Sequence, residues 1–291
     1  MTAIAPNVVP KPTPTAVAST IKNMLLLFAG TKDSGKTTLL ATGSKNMPET
    51  MAELIELVKA GKTPDCSDVH IWQFDAGGDT GLKGLGLKPT VVDLSREANW
   101  KQAEKKLDAL FQDAQKRTDI SVIGIDLTTL AEMIIEHYTA LSPGNNMEIY
   151  GSGVKPALRK ILTKARLTPC PVVFMTHLKV YDDSFKGGKS DKDAKEAHEA
   201  KHELHAENIP YRFTWAVSGS IIGVIEPPLV ARWVTRRENV RTNGAIKSRY
   251  WVDTDVTDFA PSSTKANSEY VKVVPPESTL TLKTMLAALN K

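Results

Sequence analysis

The eight residues Gly30-Thr31-Lys32-Asp33-Ser34-Gly35-Lys36-Thr37 read G-x-x-x-x-G-K-T, directly after the apolar run Met24-Leu25-Leu26-Leu27-Phe28-Ala29. A buried strand running into such a loop and then into a helix is a narrow structural demand. Its glycines let the backbone wrap an anion, its successive N–H groups point inward, and the helix start adds the positive end of its dipole. The pattern predicts a cradle for a nucleoside triphosphate formed by Gly30, Thr31, Lys32, Asp33, Ser34, Gly35, Lys36, Thr37 and Thr38. In it Lys36 would reach the β and γ phosphates, and the Thr37 hydroxyl would ligate Mg²⁺, a hard cation that prefers oxygen.

The elements downstream predict an α/β fold with a mainly parallel sheet. Val69–Phe74, Thr90–Leu94, Ile120–Asp126 and Pro171–His177 are short apolar runs expected as strands. They alternate with helical stretches at Glu49–Ala60, Asn99–Arg117, Leu127–Leu141 and Val154–Leu167. The second of these carries Trp100, Ala103, Leu107, Leu110, Phe111 and Ala114 at three- and four-residue steps, the stripe of a helix lying on a sheet. Gly77, Gly78, Gly81, Gly84 and Gly86 predict a loop after the second strand. Ser220–Ile225, Ala231–Thr235 and Tyr250–Asp253 are expected as a late antiparallel extension, and Leu280–Leu289 as a terminal amphipathic helix.

Around this core, residues 1–20 hold four prolines among small and polar residues and predict a flexible tail. The core itself is expected over 21–258, with a mobile charged loop at 180–208, and 259–291 form a C-terminal extension. The net charge of +4 is too small to argue for nucleic acid without clustering. Cys66 and Cys170 lack metal or redox spacing, as expected of a reduced, cytoplasmic interior. No stretch approaches the roughly 18 apolar residues of a membrane span.

Hydrolysis would need more than a cradle. Asp126 ends a strand where a carboxylate can hold a Mg²⁺-bound water, or can simply cap the following helix. Asp75 ends another strand and could polarise the attacking water. His177 ends a third and can donate to a γ-phosphate oxygen.

In order and spacing these segments resemble the RecA-like ATPase family, in particular the compact phage-encoded nucleotide-binding proteins of the single-strand annealing and recombination group. GTKDSGKTT is similar to Walker A, QFDAGGD to the segment carrying the catalytic acid, SVIGID to Walker B and VVFMTH to the sensor strand, across residues 22–255. The resemblance implies a RecA-like ATPase using ATP and Mg²⁺ in an oligomer, acting in phage DNA metabolism on single-stranded DNA, with a single-strand binding protein as a further partner. It also implies catalytic roles for Lys36, Asp75, Asp126 and His177, and makes 180–208 similar to a DNA-binding loop. Three departures stand out: glycine occupies position 77, where the family has a glutamate, so that Asp75 or Asp79 would supply the carboxylate or hydrolysis would be slow; His177 stands where the family has a glutamine sensor; and Leu127 replaces a serine for which Thr128 would compensate.

Tyr181–Ala206 carries five lysines against seven acidic residues, a poor match for a phosphate backbone. A better basic cluster is Arg232, Arg236, Arg237, Arg241, Lys247 and Arg249, interleaved with Trp233, Tyr250 and Trp251, which can grip phosphates and stack bases or form an ordinary solvated hairpin. The resemblance makes Arg236 and Arg237 candidates for a finger reaching a neighbour's γ phosphate. His198-Glu199-Ala200-Lys201-His202 matches H-E-x-x-H and His205 continues its face, but the charged flanks give no apolar face to exclude water, so a solvated helix is the expectation. The functional alternatives are a nucleotide-gated regulatory or assembly protein without DNA stimulation and, third, a small-molecule kinase.

Overall fold

The structure is a computed structural model that describes residues 23–74, 80–97, 99–180, 213–217, 219–242, 245–255, 262–265 and 268–290. The expectations placed on the tail 1–20, on Asp75, Gly77 and Asp79, and on 181–208 with His198, His202 and His205 lie outside them.

The chain is an α/β protein built on one mostly parallel mixed sheet. Its strands run β1 (Leu25–Gly30), β2 (Val69–Gln73), β3 (Thr90–Asp93), β4 (Val122–Asp126), β5 (Val172–Val180), β7 (Ala231–Thr242), β8 (Ala245–Asp253) and β10 (Glu277–Ser278), with β6 (Phe213–Trp215) and β9 (Ser263–Thr264) pairing to β5 and β7. The spatial order is β10-β8-β7-β1-β5-β4-β2-β3. From β3 through β7 every neighbouring pair is parallel, and β8 and β10 are antiparallel.

Side-chain alternation divides the core. Leu25, Leu27 and Ala29 of β1 point to one face with Ile123, Ile125, Val172, Phe174 and Val234. Helices α4 (Trp100–Ala114), α5 (Leu127–Leu141), α6 (Lys155–Arg166) and α7 (Gly219–Ile225) contribute Trp100, Leu107, Leu130, Leu158 and Ile221 to that same face. Leu26 and Phe28 point the other way, toward α1 (Lys36–Ala41), α2 (Met51–Lys59), α3 (Thr80–Leu85), α8 (Ser268–Val273) and α9 (Leu282–Leu289). With a cover on both sides the strands must be apolar throughout, and all six residues of β1 are buried. The C-terminal helix α9 docks where α1 ends: Leu282 N–H donates to Thr42 Oγ1 at 2.9 Å and Lys283 N–H to the Thr42 carbonyl at 3.1 Å.

Local structure departs from the sequence expectation, or adds to it, at four places. Ser220–Ile225 lies in helix α7, because an apolar run this short fits either a strand or a helix and here Ile221, Ile222 and Ile225 form one buried helical face. That helix carries the chain across the sheet, so β7 enters parallel to β1, and the antiparallel part begins only at β8. The glycine-rich stretch after β2 contains α3, which buries Leu82. The segment between α5 and α6 holds a π-helical turn over Glu148–Val154.

Because β1, β2, β4 and β5 are parallel, their carboxyl ends share one edge, the edge where ligands of open α/β sheets bind. β5 lies between β1 and β4, which sets Gly30 opposite His177 and Asp126 opposite Met175.

Candidate nucleotide site

The loop after β1 has the geometry of an anion nest. Asp33 (φ 61°) and Gly35 (φ 91°) are left-handed, Ser34 between them is not, and Lys36 opens α1. Alternating handedness turns consecutive N–H groups toward one point. Aspartate tolerates a left-handed backbone better than most residues, and glycine has no side chain to oppose it. Helix α1 is only six residues long, so the amides of the loop rather than a long macrodipole supply most of the positive potential.

The nest is fastened to β7. Thr235 Oγ1 donates to the Ala29 carbonyl at 3.2 Å and lies 2.7 Å from Ser34 Oγ. A hydroxyl has one proton, so with Thr235 donating to Ala29 the Ser34 hydroxyl must donate to Thr235. Both residues are 2 % exposed, which shields this relay from water. Gly30 is there because nothing larger fits: a Cβ would come within 2.1 Å of Ser34 Oγ and 2.3 Å of Thr235 Oγ1.

Lys36 folds back over the loop, its Nζ donating to the Gly30 and Thr31 carbonyls at 3.0 Å each and lying 3.4 Å from His177 Nδ1. Thr37 and Thr38 follow it in the first turn of α1, both half-buried, while Lys32 and Asp33 are exposed. β5 runs on to Val180, where it pairs with β6, so His177 does not end its strand as expected but lies exposed within it, level with Gly30 at the end of β1, and its backbone N–H donates to Thr128 Oγ1 at 3.2 Å. Thr128 Oγ1 also lies 3.0 Å from Thr176 Oγ1, so the first turn of α5 is pinned to β5.

Asp126 ends β4 and caps α5, its Oδ1 accepting from the N–H groups of Thr128 at 3.0 Å and Thr129 at 3.4 Å. Capping through one oxygen is compatible with a role toward a metal-bound water, since a carboxylate offers two oxygens and about four acceptor positions. Among the described residues no three His, Cys, Asp or Glu side chains cluster as a metal site. The Thr37 hydroxyl and the Asp126 carboxylate are hard oxygen donors of the kind Mg²⁺ would take, one or two from the protein with the remainder from phosphates and water.

The structure thus brings the nest, Lys36 and His177 together beside the end of β4. Asp75 lies outside the described residues. Arg236 and Arg237 part company, because adjacent strand residues face opposite sides. Arg236 points to the α5 and α6 side, 4.7 Å over the Trp251 ring and 3.4 Å from the buried carboxylate of Asp253. Burial pushes the Asp253 carboxyl up, and the charge of Arg236 pulls against that rise. Arg237 is exposed on the α1 side with Thr235, held by Ser248 at 3.2 Å. The side chains of Arg241 and Lys247 lie outside the described residues.

The aromatics of this hairpin divide in the same way. Trp233 is fully buried against Phe28 and Tyr270, and Trp251 is 6 % exposed between the guanidinium groups of Arg236 and Arg249. Tyr250 remains 44 % exposed. Cys66 and Cys170 are both buried, their thiols pushed up to about 11 and about 12 by that burial, which removes them as nucleophiles.

Sequence reasoning missed Thr235 and Thr176. Thr235 stands 201 residues from the serine it holds, and no local pattern announces a pairing of that span. No protein-family model matches this chain, and no curated protein matches it.

Proposed function

We propose that the protein is a RecA-like ATPase that binds ATP·Mg²⁺ at the loop after β1, hydrolyses it slowly, and couples the bound nucleotide to assembly on single-stranded DNA. The observation that carries the reading is the nest itself: Asp33 and Gly35 are left-handed on either side of Ser34, with Lys36 arriving beside His177 on the neighbouring strand. Lys36 would exchange the two loop carbonyls for the β and γ phosphates, a charge-assisted contact stronger than the neutral one it replaces. Thr37 would ligate Mg²⁺ and Asp126 would orient one of its waters. The imidazole of His177, 3.4 Å from Lys36 Nζ, would meet the γ phosphate that Lys36 would hold.

A second reading, a nucleotide-gated assembly protein without DNA stimulation, is favoured by one observation. Two of the three aromatics in the basic hairpin, Trp233 and Trp251, have no face open for a base. The test is the ATPase rate of the native protein and of Lys36→Ala with and without single-stranded DNA. DNA stimulation that is lost in Lys36→Ala supports the first reading. A Lys36-dependent rate that ignores DNA selects the second, and a native rate equal to the variant's rejects the ATPase.

A further inference from the structure

We infer that Tyr250, braced by Arg237, receives the base of the nucleotide held by its own chain's nest, making the β7–β8 hairpin a base-reading element in cis. The inference rests on the triphosphate reading above. Direction comes first: Lys36 Nζ reaches toward His177 on β5, so the γ end of a bound triphosphate lies on the β5 flank of β1. A nucleotide laid along the loop then sends its nucleoside toward the opposite flank. That flank is β7, tied to the nest through Thr235 and Ser34.

The next strand, β8, supplies what a base needs there. Tyr250 pairs with Arg237 and shares the α1-side face with Thr235. A Cβ built on Gly35 would meet Tyr250 Cδ1 at 3.4 Å and, among the described residues, no other side chain within 4 Å. The ring therefore stands beside the phosphate loop, with room for about one methyl group between it and the Gly35 backbone, and keeps 44 % of its surface exposed. The Arg237 guanidinium lies 5.6 Å from the ring centroid and is steadied by Ser248, a cation over one part of an aromatic whose remaining surface is open. Trp251, the aromatic next to it, is closed between two arginines on the other face of the sheet. Stacking on one such platform accepts any base and contributes measurably to affinity. Arg237, committed to this ring, then acts on the nucleotide of its own chain and not on a neighbour's.

The experiment compares binding of Mg·ATP and of Mg·tripolyphosphate, which has the phosphates and no base, in the native protein and in Tyr250→Ala, Tyr250→Leu and Tyr250→Phe. Leucine keeps apolar bulk against Gly35, and phenylalanine keeps the π face. Ala and Leu are expected to weaken ATP by roughly tenfold while leaving tripolyphosphate unchanged, and Phe to bind both as the native protein does. Equal loss of both probes in Tyr250→Leu, or no loss of ATP in Tyr250→Ala, overturns the assignment. So does weakened oligothymidylate binding with ATP affinity intact, which would move Tyr250 to a nucleic-acid surface. If the native protein binds neither probe, the triphosphate reading itself has failed, a result distinct from any of these.

Discussion

Replacing Thr235 with valine tests the relay that holds the nest to the sheet. Valine keeps the shape of threonine and removes its hydroxyl, so the Ser34 hydroxyl loses the acceptor at 2.7 Å and the Ala29 carbonyl loses the donor at 3.2 Å. Both side chains are 2 % exposed, and water cannot substitute. A buried polar group left unpaired costs about 1–3 kcal/mol, so Thr235→Val is expected to destabilise the protein by about 2 kcal/mol. Ser34→Ala is milder, about 0.5–1 kcal/mol, because it removes a donor and leaves Thr235 still donating to Ala29. The double variant strands no serine hydroxyl and should be more stable than the sum of the two single losses predicts, by about 1 kcal/mol. Urea denaturation of the four proteins, with unchanged m values, measures each term. Strict additivity, or a larger loss in Ser34→Ala than in Thr235→Val, would refute both the donor order and the buried relay.

Three further outcomes follow from the geometry. Asp126→Asn preserves a helix cap, since asparagine caps as well as aspartate, so stability should hold within about 0.5 kcal/mol while the Mg²⁺-dependent tightening of ATP binding, measured by titration with and without the metal, disappears. Thr128→Val unpins α5 from β5 and is expected to cost about 1 kcal/mol in urea and to slow ATP turnover more than it weakens ATP binding, since His177 loses the acceptor of its backbone N–H. His70 is buried in β2, and burial, with the Arg117 charge adding to it, lowers its pKa. The unfolded chain therefore takes up a proton near pH 6.5 that the folded chain refuses, and stability falls as pH drops from about 6.5 toward the folded value. Urea midpoints at several pH values should show that slope in the native protein and a shallower one in His70→Gln.

The parts of this protein legible in its sequence are those set by nearest neighbours. β1 is written in an apolar run and the loop after it in the eight consecutive residues Gly30–Thr37, and β4 ends on Asp126 because an apolar run stops at a charge. The stripe of Trp100, Leu107 and Phe111 lies on the sheet as its spacing requires, with Phe111 meeting Trp72 edge-on at 4.9 Å. Where tertiary context decides, the sequence is mute. Ile221, Ile222 and Ile225 suit a strand equally well until α6 is in place to cover them. The parallel entry of β7 depends on a crossover, not on its own residues. The separation of Arg236 from Arg237 is implicit in strand alternation, yet which of them shares a face with the nest is known only once Thr235 is seen to touch Ser34. Thr37 and Asp126 carry side chains suited to Mg²⁺ in any fold; their shared sheet edge comes from β5 lying between β1 and β4.

The claim underlying all of this is that the amides between Gly30 and Thr37 hold a triphosphate. Calorimetric titration of the native protein and of Lys36→Ala with a slowly hydrolysed ATP analogue, in Mg²⁺ and in a metal-free buffer, examines it without any reaction or DNA. The account predicts saturable binding by the native protein that is tightened by Mg²⁺ and weakened at least about tenfold in Lys36→Ala, the loss of one charge-assisted contact of about 1.5–3 kcal/mol. Absence of binding by the native protein, or equal binding by the two proteins, would contradict it.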